Sequence, residues 1–285
     1  MRELTIGICQ LESVIGAADY DPRPANLERA LQAIEVTASQ GAKLIVFGEI
    51  FLNGYETNEY THKYAIAETG NDSYVERLVD KAAAHDVHII MGASTHKCPY
   101  PGDVYNSALL IGPDGLVGVY NKTHVAAFAS SGSVAAEKVW WSPGTDIPVF
   151  DTALGRIGIE ICYDNSFPEV SRTLTLKGAE LIVNISAALC GFEDHWTSSL
   201  YVRSTENAVW FLHVSIVGKQ RDFELFGGSR LLTPHGEVVF EAPRSEEAVL
   251  VTSADLDVLY EARGTMHPFA NRNPALYAVI TEPRD

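Results

Sequence analysis

Four side chains in this sequence could do chemistry, three of them where an apolar run gives way to a polar turn. Cys162 follows Arg156-Ile157-Gly158-Ile159-Glu160-Ile161 and precedes Tyr163-Asp164-Asn165-Ser166-Phe167-Pro168-Glu169. A thiol at the carboxyl end of a strand, on the turn into a helix, stands where open α/β sheets present reactive groups. The alternative is a small buried hydrophobe, as most unpaired cysteines are. Glu49 ends Lys43-Leu44-Ile45-Val46-Phe47-Gly48 and is followed by Ile50-Phe51-Leu52, which would keep water away. Burial would raise its pKa and make it a base near neutral pH; otherwise it is a rim carboxylate or a cap for the next turn. Lys122, one of eight lysines, closes Leu116–Tyr120 through Asn121 and by position alone is an ordinary strand-end cation. Glu137 precedes Lys138-Val139-Trp140-Trp141-Ser142-Pro143-Gly144, where two indoles beside a carboxylate form either a pocket wall or plain core.

The elements that must position these groups alternate between short apolar runs and helix-length segments. Strands are expected at 4–9, 44–47, 88–92, 107–111, 116–120, 157–161, 181–185, 209–217, 229–232, 238–240 and 248–254, rich in Val, Ile and Leu. Helices are expected at 25–40, 73–85, 168–177 and 195–207. Ser73 with Glu76 three residues on suggests a capping box, and Pro168 sits in a first helical turn. Gly112-Pro113-Asp114-Gly115 and Thr233-Pro234-His235-Gly236 read as hairpin turns. Hairpins beside β-α units imply mixed sheets. No linker or repeat interrupts the chain, so a single α/β domain over 1–285 is expected, with a tail from about 271 packed on a surface or a partner.

Composition narrows the partners. Of the 285 residues, 46% are apolar and 20% charged, which excludes a disordered chain. The formal charge of −16, from 21 basic and 37 acidic residues, argues against nucleic acid or an anionic membrane. No apolar run approaches a membrane span. With no export signal evident, a cytoplasmic location is expected. Cys9, Cys98, Cys162 and Cys190 lie far apart, which excludes a disulfide scaffold and a cysteine zinc site.

Taken together, the chain closely resembles the nitrilase superfamily of carbon–nitrogen hydrolases. The matching segments are Phe47-Gly48-Glu49-Ile50-Phe51-Leu52-Asn53-Gly54-Tyr55, Tyr120-Asn121-Lys122-Thr123-His124, and Gly158-Ile159-Glu160-Ile161-Cys162-Tyr163-Asp164 with Phe167-Pro168-Glu169. Arg203-Ser204-Thr205-Glu206-Asn207-Ala208, Phe226-Gly227-Gly228-Ser229 and Arg272-Asn273-Pro274-Ala275-Leu276-Tyr277 also fit. The resemblance implies a four-layer α-β-β-α sandwich, usually a homodimer joined through one helical face. It also implies a Glu49–Lys122–Cys162 triad, with Glu137 as a frequent fourth member. Asn121 departs from the arginine that often precedes the lysine, which alters an outer contact and not the chemistry.

On that resemblance, Glu49 takes the thiol proton, and Lys122 with the Tyr163 N–H holds the oxyanion. A thioester on Cys162 is then hydrolysed, with no metal or other cofactor. Cys162-Tyr163-Asp164 is more typical of amidases than of true nitrilases, so a small neutral carboxamide is the expected substrate. The alternative is an N-carbamoyl compound, although Asn165 and Ser166 stand where such enzymes usually carry a cation. Expected contacts to substrate are Tyr55, Trp140, Trp141, Asn165, Ala187 and Ala188, with 186–192 forming the opposite wall. Arg203 and Glu206 are read as an ion pair within one helix, Cys9 as inert core, and Cys190 as an innocuous small residue near the pocket.

Overall fold

A computed structural model of the chain describes residues 2–97, 102–130, 133–266 and 268–282; Cys98 lies outside them. Two mixed sheets stack face to face. The first runs, in spatial order, Ala248–Asp255, Glu3–Gln10, Leu44–Phe47, His88–His96, Val104–Gly112, Gly115–Asn121, with the short Ile66–Ala67 on the far end of His88–His96. The second runs Val238–Glu241, Arg230–Leu232, Trp210–Ser215, Leu181–Ser186, Gly155–Ile161, Val149–Thr152. In each sheet three neighbouring strands are parallel and the longer flanking strands are antiparallel, while the short Ile66–Ala67 pairs parallel with His88–His96. Both expected hairpin turns are formed.

Alternation along the strands makes the layers. Leu4, Ile6, Ile8, Leu44, Val46 and Ile90 face Ile157, Ile159, Ile161, Leu181, Val183 and Leu212 in one core between the sheets. Residues of the opposite parity in the first sheet, Cys9, Ile45, Phe47, Ile89 and Met91, pack under Leu27, Ala30 and Ile34 of the Arg23–Ser39 helix and Val75 and Leu78 of Ser73–His85. In the second, Ile182 and Phe211 pack under Val170 and Leu174 of Pro168–Leu176 and Trp196 and Leu200 of Glu193–Asn207. A strand buried on both faces must be apolar at both parities, and period-two geometry sends the two sets to different cores. The result is helix–sheet–sheet–helix. Each fully buried Leu or Ile contributes about 1.5–3 kcal/mol, largely offset by chain entropy.

Several elements differ from expectation for local reasons. The helix at 73–85 is capped by Asp72, whose carboxylate accepts the Tyr74 N–H at 2.9 Å, so Ser73 is the first helical residue. The run 209–217 ends at Ser215, because Val217–Gln220 leaves the sheet and pairs with Phe223–Phe226. Val149–Thr152, the Ala127–Ser130/Ser133–Ala136 hairpin and the helix Val258–Met266 have no strong apolar period and were not anticipated. The tail forms two single turns, Pro274–Leu276 and Ala278–Ile280, with Leu276, Val279 and Ile280 exposed. Among the described residues no helix is long and apolar enough to cross a membrane.

Candidate active site

Three strand ends from the two facing sheets converge. Glu49 follows Leu44–Phe47, Lys122 follows Gly115–Asn121, and Cys162 follows Gly155–Ile161. Lys122 Nζ lies 2.8 Å from Glu49 Oε1 and 2.9 Å from each oxygen of Glu137, which opens the short helix Glu137–Trp140. All three side chains are buried. Glu49 Oε1 also accepts Asn106 Nδ2 at 2.7 Å, and Oε2 accepts the Ala187 N–H at 2.8 Å. Glu137 accepts the Tyr55 hydroxyl at 2.7 Å and the Ala126 N–H at 2.6 Å. A buried charge survives only when paired and hydrogen-bonded, and this cluster meets that condition on every side.

The backbone pays locally for this placement. Ile50, after Glu49, has φ of 50°, and Cys162 has φ of 46°. A non-glycine residue in the left-handed region costs on the order of 1–3 kcal/mol and persists only where its surroundings hold it. At the Glu49 turn, the holding contact is Gly92 on the neighbouring strand. A Cβ there would stand 2.2 Å from the Gly48 oxygen and 2.9 Å from the Glu49 Cα. Only glycine fits.

At Cys162 the holding group is Asp164. Its carboxylate accepts the Ile161 N–H at 3.0 Å and the Tyr120 hydroxyl at 2.7 Å. It also accepts the Thr123 hydroxyl and the His124 N–H, both at 2.9 Å, and lies 2.9 Å from His124 Nδ1. One buried carboxylate thus ties the segment carrying Lys122 to the turn carrying Cys162. Phe167 stacks on the His124 ring at 3.8 Å and closes the same turn.

Burial raises the pKa of Glu49, and the neighbouring Glu137 adds to this while Lys122 opposes it. Burial alone would lower Lys122, but the carboxylates of Glu137 and Glu49 outweigh it and hold the ammonium charged. The Cys162 thiol is pushed up by burial and by Glu49, against the opposing pull of Lys122.

Cys162 and Glu137 border a cavity of about 530 Å³. Tyr55, Tyr163, Leu189, Phe192 and Trp196 supply most of its wall, with Ala126, Ala187, Ser166 and an exposed His195 completing it. Four expected contact residues do not reach it. Trp140 turns edge-on to His62, and its carbonyl meets that ring's Nε2 at 2.8 Å. Trp141 lies behind Tyr55, ring stacked on ring at 6.1 Å, and its indole N–H donates to Ser94. Asn165 is buried and donates to Ser199 at 2.7 Å, while its carbonyl accepts Arg203 Nε. Ala188 is wholly buried, its N–H donated to Ser215. Tyr55 does line the cavity, but its hydroxyl serves Glu137. Arg203 and Glu206 form the expected pair at 2.9 Å. Cys9 is core, its thiol pushed up by burial, and Cys190 is half-buried and outside the cavity lining.

Reasoning from sequence passed over Asn106, Ala126, Asp164 as a hub, and His195. Asn106 left a signal, a polar residue in an apolar strand that is fully buried in the fold. Ala126 acts through its backbone, which no side-chain motif reveals.

Two facing mixed sheets with helices outside are the fold that the resemblance to the nitrilase superfamily implied. Comparison agrees. Saccharomyces cerevisiae Nit3, a member of branch 10 of that superfamily, superposes with a TM-score of 0.82 at 25% identity, over 93% of this chain and 94% of that one. The carbon–nitrogen hydrolase family profile matches residues 5–264, and the chain belongs to that family. It is 31% identical over 261 residues to the omega-amidase NIT2 of Homo sapiens, covering 89% of this chain and 91% of that protein. It is 32% identical over 265 residues to an (R)-stereoselective amidase of Pseudomonas sp, covering 91% and 90%. The family makes the chain a carbon–nitrogen hydrolase.

Proposed function

We propose that the chain hydrolyses a neutral carboxamide to a carboxylic acid and ammonia through a thioester on Cys162. The observation that carries this is Lys122, held charged between Glu49 and Glu137 beside a thiol that faces a cavity. Glu49, its basicity raised by burial, takes the thiol proton as sulfur attacks the amide carbon. The ammonium has three donors. One goes to Glu49 and one is shared by the two Glu137 oxygens, which leaves one for the oxyanion, alongside the Tyr163 N–H. Collapse breaks the carbon–nitrogen bond, and Glu49 returns its proton to the departing nitrogen. Water, deprotonated by Glu49, then cleaves the thioester and the thiol recovers its proton. Relatives named as amidases support the amide class. We also propose a homodimer, since Leu176, Tyr201 and Val202 are exposed on the outer helices; sedimentation at monomer mass would refute it.

The test is ammonia release across amides, nitriles and ureido compounds, with Cys162→Ala as blank, and mass spectrometry of quenched enzyme. Ammonia from amides and an acyl adduct on Cys162 are expected. Ammonia release undiminished in Cys162→Ala would overturn the mechanism. Carbon dioxide from ureido substrates with no amide turnover would move the reading to N-carbamoyl hydrolysis.

A further inference from the structure

The cavity beside Cys162 has room well beyond a short acyl group, and its wall is mostly apolar. At about 30 Å³ per water-sized group, an amide of four heavy atoms would fill about a quarter of its 530 Å³. Neither lysine nor arginine is among the described residues bordering it; Arg244 lies on an adjoining pocket that shares Phe192 and His195, and there it faces Glu241 at 3.6 Å. The one carboxylate bordering it, Glu137, already accepts Lys122, Tyr55 and Ala126, so it has little to offer a cationic one. What remains on the far wall is Leu189, Phe192 and Trp196.

Trp196 in that wall is braced from behind. Trp196 stacks on His213 with ring centroids 5.5 Å apart and 27° between planes. His213 Nδ1 lies 2.8 Å from Asn184 Oδ1, and Asn184 Nδ2 donates to Glu160 at 3.1 Å. Ser171 donates to the other Glu160 oxygen at 2.7 Å, and Ser186 donates to Asn184 Oδ1 at 2.8 Å. Every member of this chain is buried. An indole fixed from behind, with apolar neighbours, is a surface shaped before the ligand arrives.

From these observations we propose that the substrate is an amide whose acyl group is bulky and apolar, aromatic or branched, seated against Leu189, Phe192 and Trp196. The proposal rests on the amide reading above and adds the acyl class to it. His195, at the rim, marks where the acyl group meets solvent.

The experiment is kcat/KM of the full chain for acetamide, 3-methylbutanamide and phenylacetamide, with succinamate and glycinamide as anionic and cationic probes. One methylene in an apolar pocket is worth about 10–200-fold, so phenylacetamide should exceed acetamide by at least about 100-fold, with both charged probes below 3-methylbutanamide. Phe192→Ala and Leu189→Ala, at partly exposed positions, should each lower the phenylacetamide-to-acetamide ratio about tenfold, and Phe192→Tyr should restore it. Trp196→Leu should lower the same ratio, and its circular dichroism must match the parent for the value to count. A ratio near one, a ratio unmoved in both alanine variants, or a preference for succinamate would overturn the proposal while leaving amide hydrolysis intact. No ammonia from any amide would overturn the amide reading itself, and this with it.

Discussion

Two buried polar clusters flank the cysteine strand, and they solve the same desolvation problem in opposite ways. Around Lys122, the ammonium is held charged by the carboxylates of Glu137 and Glu49, which it bonds in return. Around Glu160, two residues before Cys162, the carboxyl accepts hydrogen bonds from neutral Ser171 and Asn184, and burial pushes it up to about 8. Its neighbour across Asn184, His213, is pushed down to about 3 by burial, with Arg230 adding to the effect. The second cluster is therefore mostly neutral near pH 7. On the proposed mechanism, charge is kept on the lysine beside the cavity and discharged in the network behind Trp196. A buried ion is tolerable only with its partner present, whereas a neutral network needs only its hydrogen bonds.

Breaking the charged cluster should be by far the more damaging. Cys162→Ala should abolish turnover. Glu49→Gln should lower kcat/KM by about 10²–10⁴-fold, measured as ammonia release, with the fold retained by circular dichroism. Lys122→Met would strand two buried carboxylates and should cost about 3–5 kcal/mol in urea unfolding. Glu160→Gln keeps a neutral group in place and should cost well under that at neutral pH. If the two losses matched, the contrast between the clusters would be lost.

The pH dependence of stability sharpens the same contrast. Glu160 binds its proton more tightly folded than unfolded, so its contribution is complete below the usual pKa of 4.5 and is lost as pH rises through about 8. His213 resists protonation when folded, so its contribution is present above 6.5 and is lost as pH falls toward about 3. From 6.5 to 8.5 the fall in Tm of the parent should be visibly flattened in Glu160→Gln, by differential scanning calorimetry. Equal slopes in the two proteins would remove Glu160 as the cause. The smallest effect expected is that of Tyr55→Phe, which takes one donor from Glu137 and should cost about 0.5–1.5 kcal/mol, with a loss of activity of about tenfold or less.

How far the site could be read in advance depended on whether the signal was local. Glu49, Lys122 and Cys162 each follow an apolar run, and a strand end is visible within a handful of residues. Asp164 adjoins Cys162, yet its role depends on Tyr120, Thr123 and His124, some forty residues earlier in sequence. The tryptophans mislead for a related reason. Their size suggests a wall, but the indole of Trp141 is turned toward Ser94 and that of Trp140 toward His62.

The formal charge of −16 changes meaning in the same way. Glu49 and Glu137 belong to a buried cluster closed by Lys122, so they do not contribute to the acidic surface that the composition describes. By itself, the sequence determined the alternation that builds two facing mixed sheets, the strand-end positions of Glu49, Lys122 and Cys162, and the motif that places the chain in its family. Only the tertiary structure decided which carboxylates share the lysine, which aromatic rings border the cavity, and that Glu160 is discharged while Glu49 faces an ammonium. Periodicity acts between near neighbours in the chain. Charge pairing and desolvation act between groups that only the folded packing of the two sheets brings within a few ångströms.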